Sequence, residues 1–482
     1  MATISNIGVG SGLELGALLE KLEAAEKTPL KLLETQASSY QAKLSAYGTL
    51  SSVLSAYQSA AKKLADAATF GAAKAVAGSA DIMTAAAGSN AVPGTYSVNV
   101  TSLAQAQSLV GTNVASQTTA IGTGKITFEF GARQGYNEGT GGYTDPLGFT
   151  ADAARTKTVE IKPGQNSLQG IRDAINQANV GVTASIVNDG SGTPYRLVLT
   201  SNTTGEQSSM RITADSPELS NLVGFDPTQA AQPSGMQETV RATNAKLKIN
   251  GIDVVSQSNT VTDAAQGVTL TLNKTGTSSL TVTRDTEAIK AAIQGFVTAY
   301  NNIQSTAKSL TAFDTTTGSS AALNGDSTLR SIQTSLRSML NVPQPDGKGG
   351  TITLSEIGVS FTKDGTLQVD DKKLTKAISE NLGGVTSMFS HTTGAGGYGK
   401  QITDAIDDLN ETNGAIKVAT DGLTESLKDL EDRYAQVEDR VNTTIERYRA
   451  QFTQLDLLVS KLNQTRSYLT EQFAALANQT KK

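Results

Sequence analysis

Near the end of the 482-residue chain, Leu427, Tyr434, Val441, Tyr448, Leu455, Leu462, Leu469 and Leu476 recur at unbroken steps of seven. A globular helix follows a 3.6-residue period and has no need of so regular a seam, whereas a coiled coil requires it. Companion apolar residues lie three positions later in the first half (Leu430, Val437) and three positions earlier in the second (Ile445, Phe452, Val459, Phe473). The passage through Val437, Val441, Ile445 and Tyr448 is a stutter, which locally unwinds a left-handed supercoil, and it places an expected boundary near residue 440. As one helix, Leu423 to Leu476 would extend about 80 Å, longer than any compact core, so it must find partners along its length.

The obvious partner is at the other end. Ser11-Gly12-Leu13-Glu14 reads as a capping box, and Leu15, Leu18, Leu19 and Leu22 then share one helical face. Thr28-Pro29 restarts the pattern, with Thr28 as N-cap and Pro29 in the first helical position, and Leu33, Tyr40, Leu44, Tyr47, Leu54, Tyr57, Ala61 and Leu64 continue the stripe. Stripes at both termini can bury against each other and against neighbouring copies. The expected contact residues are Leu15, Leu18, Leu22, Leu33, Tyr40, Leu44, Leu427, Tyr434, Val441, Tyr448, Phe452, Leu455, Leu462, Leu469, Phe473 and Leu476.

After Phe70 the composition shifts to Gly, Thr, Val and Asn with strand-like alternation, as in Thr95 to Val100 and Lys125 to Phe130. Gly131 to Phe149 carries six glycines and two tyrosines without period and reads as a mobile surface loop. Ser167 to Ser201 combines a short helix with strands. Leu247 to Leu272 is strand-rich, with Asn250-Gly251 as a type I′ hairpin turn. Helical spacing returns at Ile289, Ile293, Phe296, Val297, Tyr300 and Ile303 and again at Leu329, Ile332, Leu336, Met339 and Leu340. A small hairpin turning at Asp364-Gly365 follows.

The expected class is α+β multidomain: a terminal α-helical coiled-coil stalk with a helical bundle, and β-rich outer head domains. Its expected segments are 1–42 with 440–482 (coiled coil), 43–72 with 283–439 (helical leg), 73–109 with 235–282 (β-rich head), and an inserted outer head, 110–234.

Charge and composition remove several functions. Forty basic residues against 45 acidic ones, with no basic cluster, argue against nucleic acid. The absence of cysteine rules out disulfides and thiolate metal sites. No apolar run approaches the roughly 18 residues of a bilayer span. Met1 to Glu20 lacks Lys and Arg and is interrupted by Gly8, Gly10 and Gly12, so a cleaved secretory signal is not expected.

Apparent catalytic motifs fail on inspection. Gly394 to Lys400 satisfies most of a phosphate-binding loop, but Gln401 stands where a magnesium-binding hydroxyl is required. His391 is the sole histidine, and neither Asp370-Asp371 nor Asp407-Asp408 lies in a calcium loop. The Asn-X-Ser/Thr triplets at Asn99, Asn202, Asn273, Asn442, Asn463 and Asn478 are expected to stay unmodified. No catalytic residue, cofactor or metal is expected.

Gly8 to Leu15, Leu18 to Leu22 and Glu26-Lys27-Thr28-Pro29-Leu30 closely resemble the filament cap family of bacterial flagella, the second hook-associated proteins. Pro93-Gly94-Thr95-Tyr96 to Leu109, Leu329 to Ile332, Ile357-Gly358-Val359, Lys363 to Leu367 and Arg447 to Phe452 look like the same family. Leu247 to Leu272 resembles the repeat shared by hook-associated proteins and flagellins, with Ser167 to Ser201 as a candidate second copy. The resemblance implies an annular homo-oligomer on the filament tip, with terminal helices on the filament and outer domains guiding flagellin insertion. It also implies passage through the flagellar type III export channel, a cytoplasmic chaperone on the C-terminal helix, and an extracellular destination. An adhesin binding host glycan through the loop at 131–149 is the alternative of a different class; a filament or junction subunit is a third.

Overall fold

The computed structural model describes residues 12–479 other than 138, 230, 231, 233, 392, 393 and 395. The chain opens with α1 (Leu15–Glu26) and α2 (Thr28–Ala65). Strands β1 (Ala73–Ala77), β2 (Met83–Ala87), β3 (Gly94–Ser102), β4 (Ser108–Val110), β5 (Gly124–Asn137) and β6 (Gly142–Ile161) lead to α3 (Leu168–Ala178). Then come β7 (Val182–Asn188), β8 (Tyr195–Ser201), β9 (Ser209–Ala214), α4 (Pro217–Val223), β10 (Gln237–Val240), β11 (Ala245–Ile249), β12 (Ile252–Ser256), β13 (Thr260–Ala265), β14 (Val268–Leu272) and β15 (Gly276–Arg284). Helices return with α5 (Thr286–Leu310), α6 (Ser327–Asn341), α7 (Asp371–Glu380), α8 (Leu382–Ser390), α9 (Tyr398–Asn410) and α10 (Ala415–Gln479). Two compact units result, Met1–Ala67 with Lys290–Lys482 and Ala68–Ile289. The class is mixed, with long terminal helices and β-sheet heads.

In the helical unit, Tyr47, Leu50, Leu54, Tyr57, Ala61 and Leu64 are buried at three- and four-residue spacing along α2. A chain of rings fixes the packing: Tyr57 lies 5.1 Å from Phe296 and 5.9 Å from Tyr300, and Phe389 lies 5.6 Å from Phe296 and 6.0 Å from Tyr398. Two of the three phenols find acceptors, Tyr300 donating to Gly365 O and Tyr398 to Val342 O. The Tyr57 hydroxyl has none, and complete burial pushes its pKa up. Asp364-Gly365 turns a two-stranded ribbon, Val359–Phe361 with Leu367–Val369.

Among its described residues the β unit holds four antiparallel sheets, ordered β1-β15-β3-β11-β12, β10-β4-β8-β7, β13-β14-β2 and β6-β5-β9. One core gathers Phe128, Phe130, Ile171, Ile175, Leu197 and Leu199, and a second Val98, Val100, Leu247, Leu270, Leu280 and Val282. Asn250 (φ 51°) and Gly251 (φ 86°) supply the two left-handed positions of the β11–β12 turn, as the sequence requires.

Three expectations change. Gly131 to Phe149 is the distal part of the β5–β6 hairpin, turned at Asn137 to Gly142, and not a loop. Gly131 serves close approach, since a β-carbon there would collide with Thr150 O. The hairpin's tyrosines are held by cations, with Arg133 3.4 Å from the centre of the Tyr143 ring and Arg241 3.4 Å from that of Tyr136. The first helix starts later than the expected capping box places it. Gly12 is left-handed (φ 75°) and α1 starts only after Glu14, which makes no side-chain cap; Ser11 lies outside the described residues. Thr28 is not an N-cap either: Lys27 holds that position in a helical conformation, and the Thr28 hydroxyl donates back to Ala24 O. Helix α2 therefore follows α1 almost without a gap.

Candidate assembly surface

Helix α10 runs 65 residues without interruption, about 97 Å at 1.5 Å per residue, and passes straight through residue 440. Its sequence contains no proline, and Lys417 pairs with Asp421 one turn on. What distinguishes its parts is who covers the apolar stripe.

Along the proximal part the cover comes from the N-terminal helices. Leu19 of α1 is fully buried against Val441 and Ile445, with Val437, Tyr448 and Phe452 half-buried around it. Tyr434 donates to Glu34 and Tyr448 to Glu26. The bond to the Glu34 carboxylate raises the Tyr434 pKa, because a phenolate there would face a like charge. Leu15, Leu30 and Leu430 are buried as well, while Leu22, Leu33, Tyr40, Leu44 and Leu427 are half-buried. Leu18 points outward.

Beyond Phe452 the stripe continues, and the described residues leave it largely exposed. Leu455, Leu462, Leu469, Phe473 and Leu476 are between 39% and 68% exposed, and Leu457 and Leu458 widen the apolar face. Burying one such side chain is worth about 1.5–3 kcal/mol. Leu455, Leu462, Leu469 and Phe473 are on average about half exposed, so completing their burial represents roughly 3–6 kcal/mol of gross stabilisation that the described residues of one chain do not realise. Leu18 apart, the contact residues named from sequence thus fall into two groups: those sharing the α1–α2–α10 seam and those on the distal stripe that the described residues leave largely exposed. Leu19 and Ile445 belong to the seam and were not among them; the four-residue step from Leu15 to Leu19 was the available signal.

Known proteins match the chain from end to end. A family model described as flagellar hook-associated protein 2 N-terminus matches residues 11–107, and one described as flagellar hook-associated protein 2 C-terminus matches residues 242–464. The flagellar hook-associated protein 2 of Escherichia coli K12 is 39% identical over 492 residues, covering 99% of this chain and 100% of that protein. The Salmonella typhimurium protein of the same name is 38% identical, covering 99% of each. The chain belongs to the flagellar hook-associated protein 2 family. A crystal structure titled as the D1-D2-D3 domains of the flagellar cap protein FliD from Escherichia coli matches with a TM-score of 0.63 and 37% identity, covering 79% of this chain and 99% of that one. This is a structural family and not one of enzymes.

Within the hook-associated family framework, a flagellin hook IN motif model matches residues 141–203. It takes in Ser167 to Ser201, whereas Leu247 to Leu272 falls within the C-terminus model. The catalytic near-misses have structural explanations. The segment before the glycine-rich stretch is helix α8, and Gly397 is the N-cap of α9. A β-carbon on Gly399 would lie 2.8 Å from Ala61 O, so that glycine lets α9 approach α2 closely. Asp370 caps α7 through the amides of Lys372 and Lys373, and Asp407 accepts from Gln58. No cluster of His, Asp or Glu among the described residues could hold a metal, and no described helix is long and apolar enough to cross a membrane.

Proposed function

We propose that this chain caps the distal tip of the bacterial flagellar filament as a ring of identical copies. The ring guides incoming flagellin into the filament and prevents its loss to the medium, so that filaments elongate and cells swim. The observation that carries this reading is the uncovered distal stripe of α10, Leu455, Leu462, Leu469 and Phe473, continuous with a seam already buried inside the chain. In the ring, neighbouring copies and the filament cover it. The segments 1–42 with 440–482 form the stalk, 43–72 with 283–439 the leg, and 73–109 with 235–282 and 110–234 the heads.

The chain leaves the cell through the flagellar type III channel without a cleaved signal, and a cytoplasmic chaperone shields its C-terminal helix until then. Exposed apolar helices need such protection before they meet their final partners. Adhesion to a host glycan through 131–149 lacks the free loop it requires, since that segment belongs to a hairpin whose tyrosines lie against arginines.

A strain lacking the gene tests the proposal when complemented with the full chain or with a chain lacking Leu455 to Lys482. Flagellin is quantified separately in the medium and on the cell. Loss of filaments with flagellin in the medium is expected for both the deletion and the truncation. Normal filaments from the truncated chain would refute it.

A further inference from the structure

We infer that copies of this chain join head to tail through the two open edges of one sheet, β12 of one copy running parallel to β1 of the next. The inference rests on the ring reading and names the contact within it.

The sheet β1-β15-β3-β11-β12 ends in β1 and β12. Hydrogen bonding alternates along a strand, so every second residue of an edge strand turns its amide and carbonyl outward. Asn250 N–H donates to Ser97 O of β3, and Ile249 pairs with Ile252 across the tight turn. Even positions of β11 therefore face β3 and odd ones face β12, which leaves Asp253 and Val255 presenting their backbone groups to the open edge. At the other end, Gly78 N–H donates to Ser279 O and Asp285 N–H to Ala72 O. Lys74 and Val76 thus bond to β15, and Ala73, Ala75 and Ala77 face outward.

Three other edges in this unit, β7, β10 and β13, are blunted, as edges that must not pair are. The Asn176 side chain closes both the amide and the carbonyl of Ala184 on β7. Strands β10 and β13 carry register breaks. Strands β1 and β12 pair with their neighbours in regular register, and they carry exposed branched side chains, Val76, Ile252 and Val255.

The two edges fit each other in one sense only. Antiparallel pairing would set the outward-bonding residues opposite one another and force the exposed face of one sheet onto the covered face of the next. In a parallel ladder each such residue bonds to the two neighbours of the residue opposite. Placing Asp253 opposite Lys74 of the next copy and Val255 opposite its Val76 bonds both backbone groups of Asp253, Val255 and Ala75, and one each of Ala73 and Ala77 at the two ends of the ladder. It also keeps both exposed faces on one side and matches an acid with a base and valine with valine. Such a contact is heterologous, and it closes into a ring when the rotation between copies permits.

The chain has no cysteine, so Val76→Cys with Val255→Cys in the full chain is a direct test. Mild oxidation should give a reducible ladder of covalent multimers, and Val76→Cys with Val187→Cys, on the plugged edge, should not. Separately, Lys74→Glu or Asp253→Lys alone should raise the dissociation constant on the order of tenfold, and the double exchange should recover it. An oligomer that forms by light scattering and supports filament growth, yet gives no ladder and no charge-swap recovery, would overturn this contact and leave the cap reading standing. Loss of oligomers in the wild-type chain would overturn both.

Discussion

The proximal and distal parts of α10 carry the same seven-residue repeat and meet opposite fates. Around Val441 and Ile445 the stripe is closed by Leu19, and from Leu455 onward the same kind of stripe faces outward. The pattern states that a helix needs a partner; it does not state whose chain supplies it. That distinction is set by length. Helices α1 and α2 together offer one companion surface, which is used up before a 65-residue helix ends.

Mutations in the two parts should separate stability from assembly. The largest expected effect lies in the bundle that anchors the proximal part: Leu54→Ala removes a fully buried side chain and should cost about 2–5 kcal/mol in denaturant unfolding. Leu462→Ala, with its side chain 59% exposed, should change the unfolding of the isolated chain by no more than ~0.5 kcal/mol while impairing filament growth. A destabilisation of Leu462→Ala equal to that of Leu54→Ala would erase the contrast.

Val441→Ala, in the seam itself, should fall between the two, at about 1–2 kcal/mol. Tyr57→Phe acts in the other direction: deleting a buried hydroxyl that lacks an acceptor should raise unfolding free energy by about 1 kcal/mol. A loss of stability there would mean the hydroxyl is satisfied in solution.

The smallest effect belongs to the β unit and serves as a control outside both parts. Arg211 donates two hydrogen bonds to Glu129 and holds its carboxyl below the ordinary value of 4.5. This depressed group contributes stability above pH 4.5 that is lost as pH falls through the lower folded value. Glu129→Gln should flatten the acid-side decline by no more than about 1 kcal/mol, since the pair is partly solvated. Unchanged acid sensitivity would remove the pair from the account.

Much of this was legible because it depends on local repetition. The heptads, the α2 stripe from Tyr47 to Leu64 and the Asn250-Gly251 turn are dictated by residues within a few positions of one another. The β5–β6 hairpin was not, because Gly131 is required by the carbonyl of Thr150 and Tyr136 is held by Arg241, a residue more than a hundred positions away. The start of α1 was not legible either: Gly12 is left-handed and the helix begins only at Leu15. For Leu18 and Leu19, adjacent on one stripe, only the crossing of α1 over α10 decides which is buried.

Amide hydrogen exchange on the full chain, before and after assembly, tests the central claim most directly. In the isolated chain, amides around Val437 to Phe452 should exchange slowly and those of Leu455 to Phe473 faster, and the second group should become protected on assembly. Equal protection of both groups in the isolated chain, or no change in the second on assembly, would contradict the account.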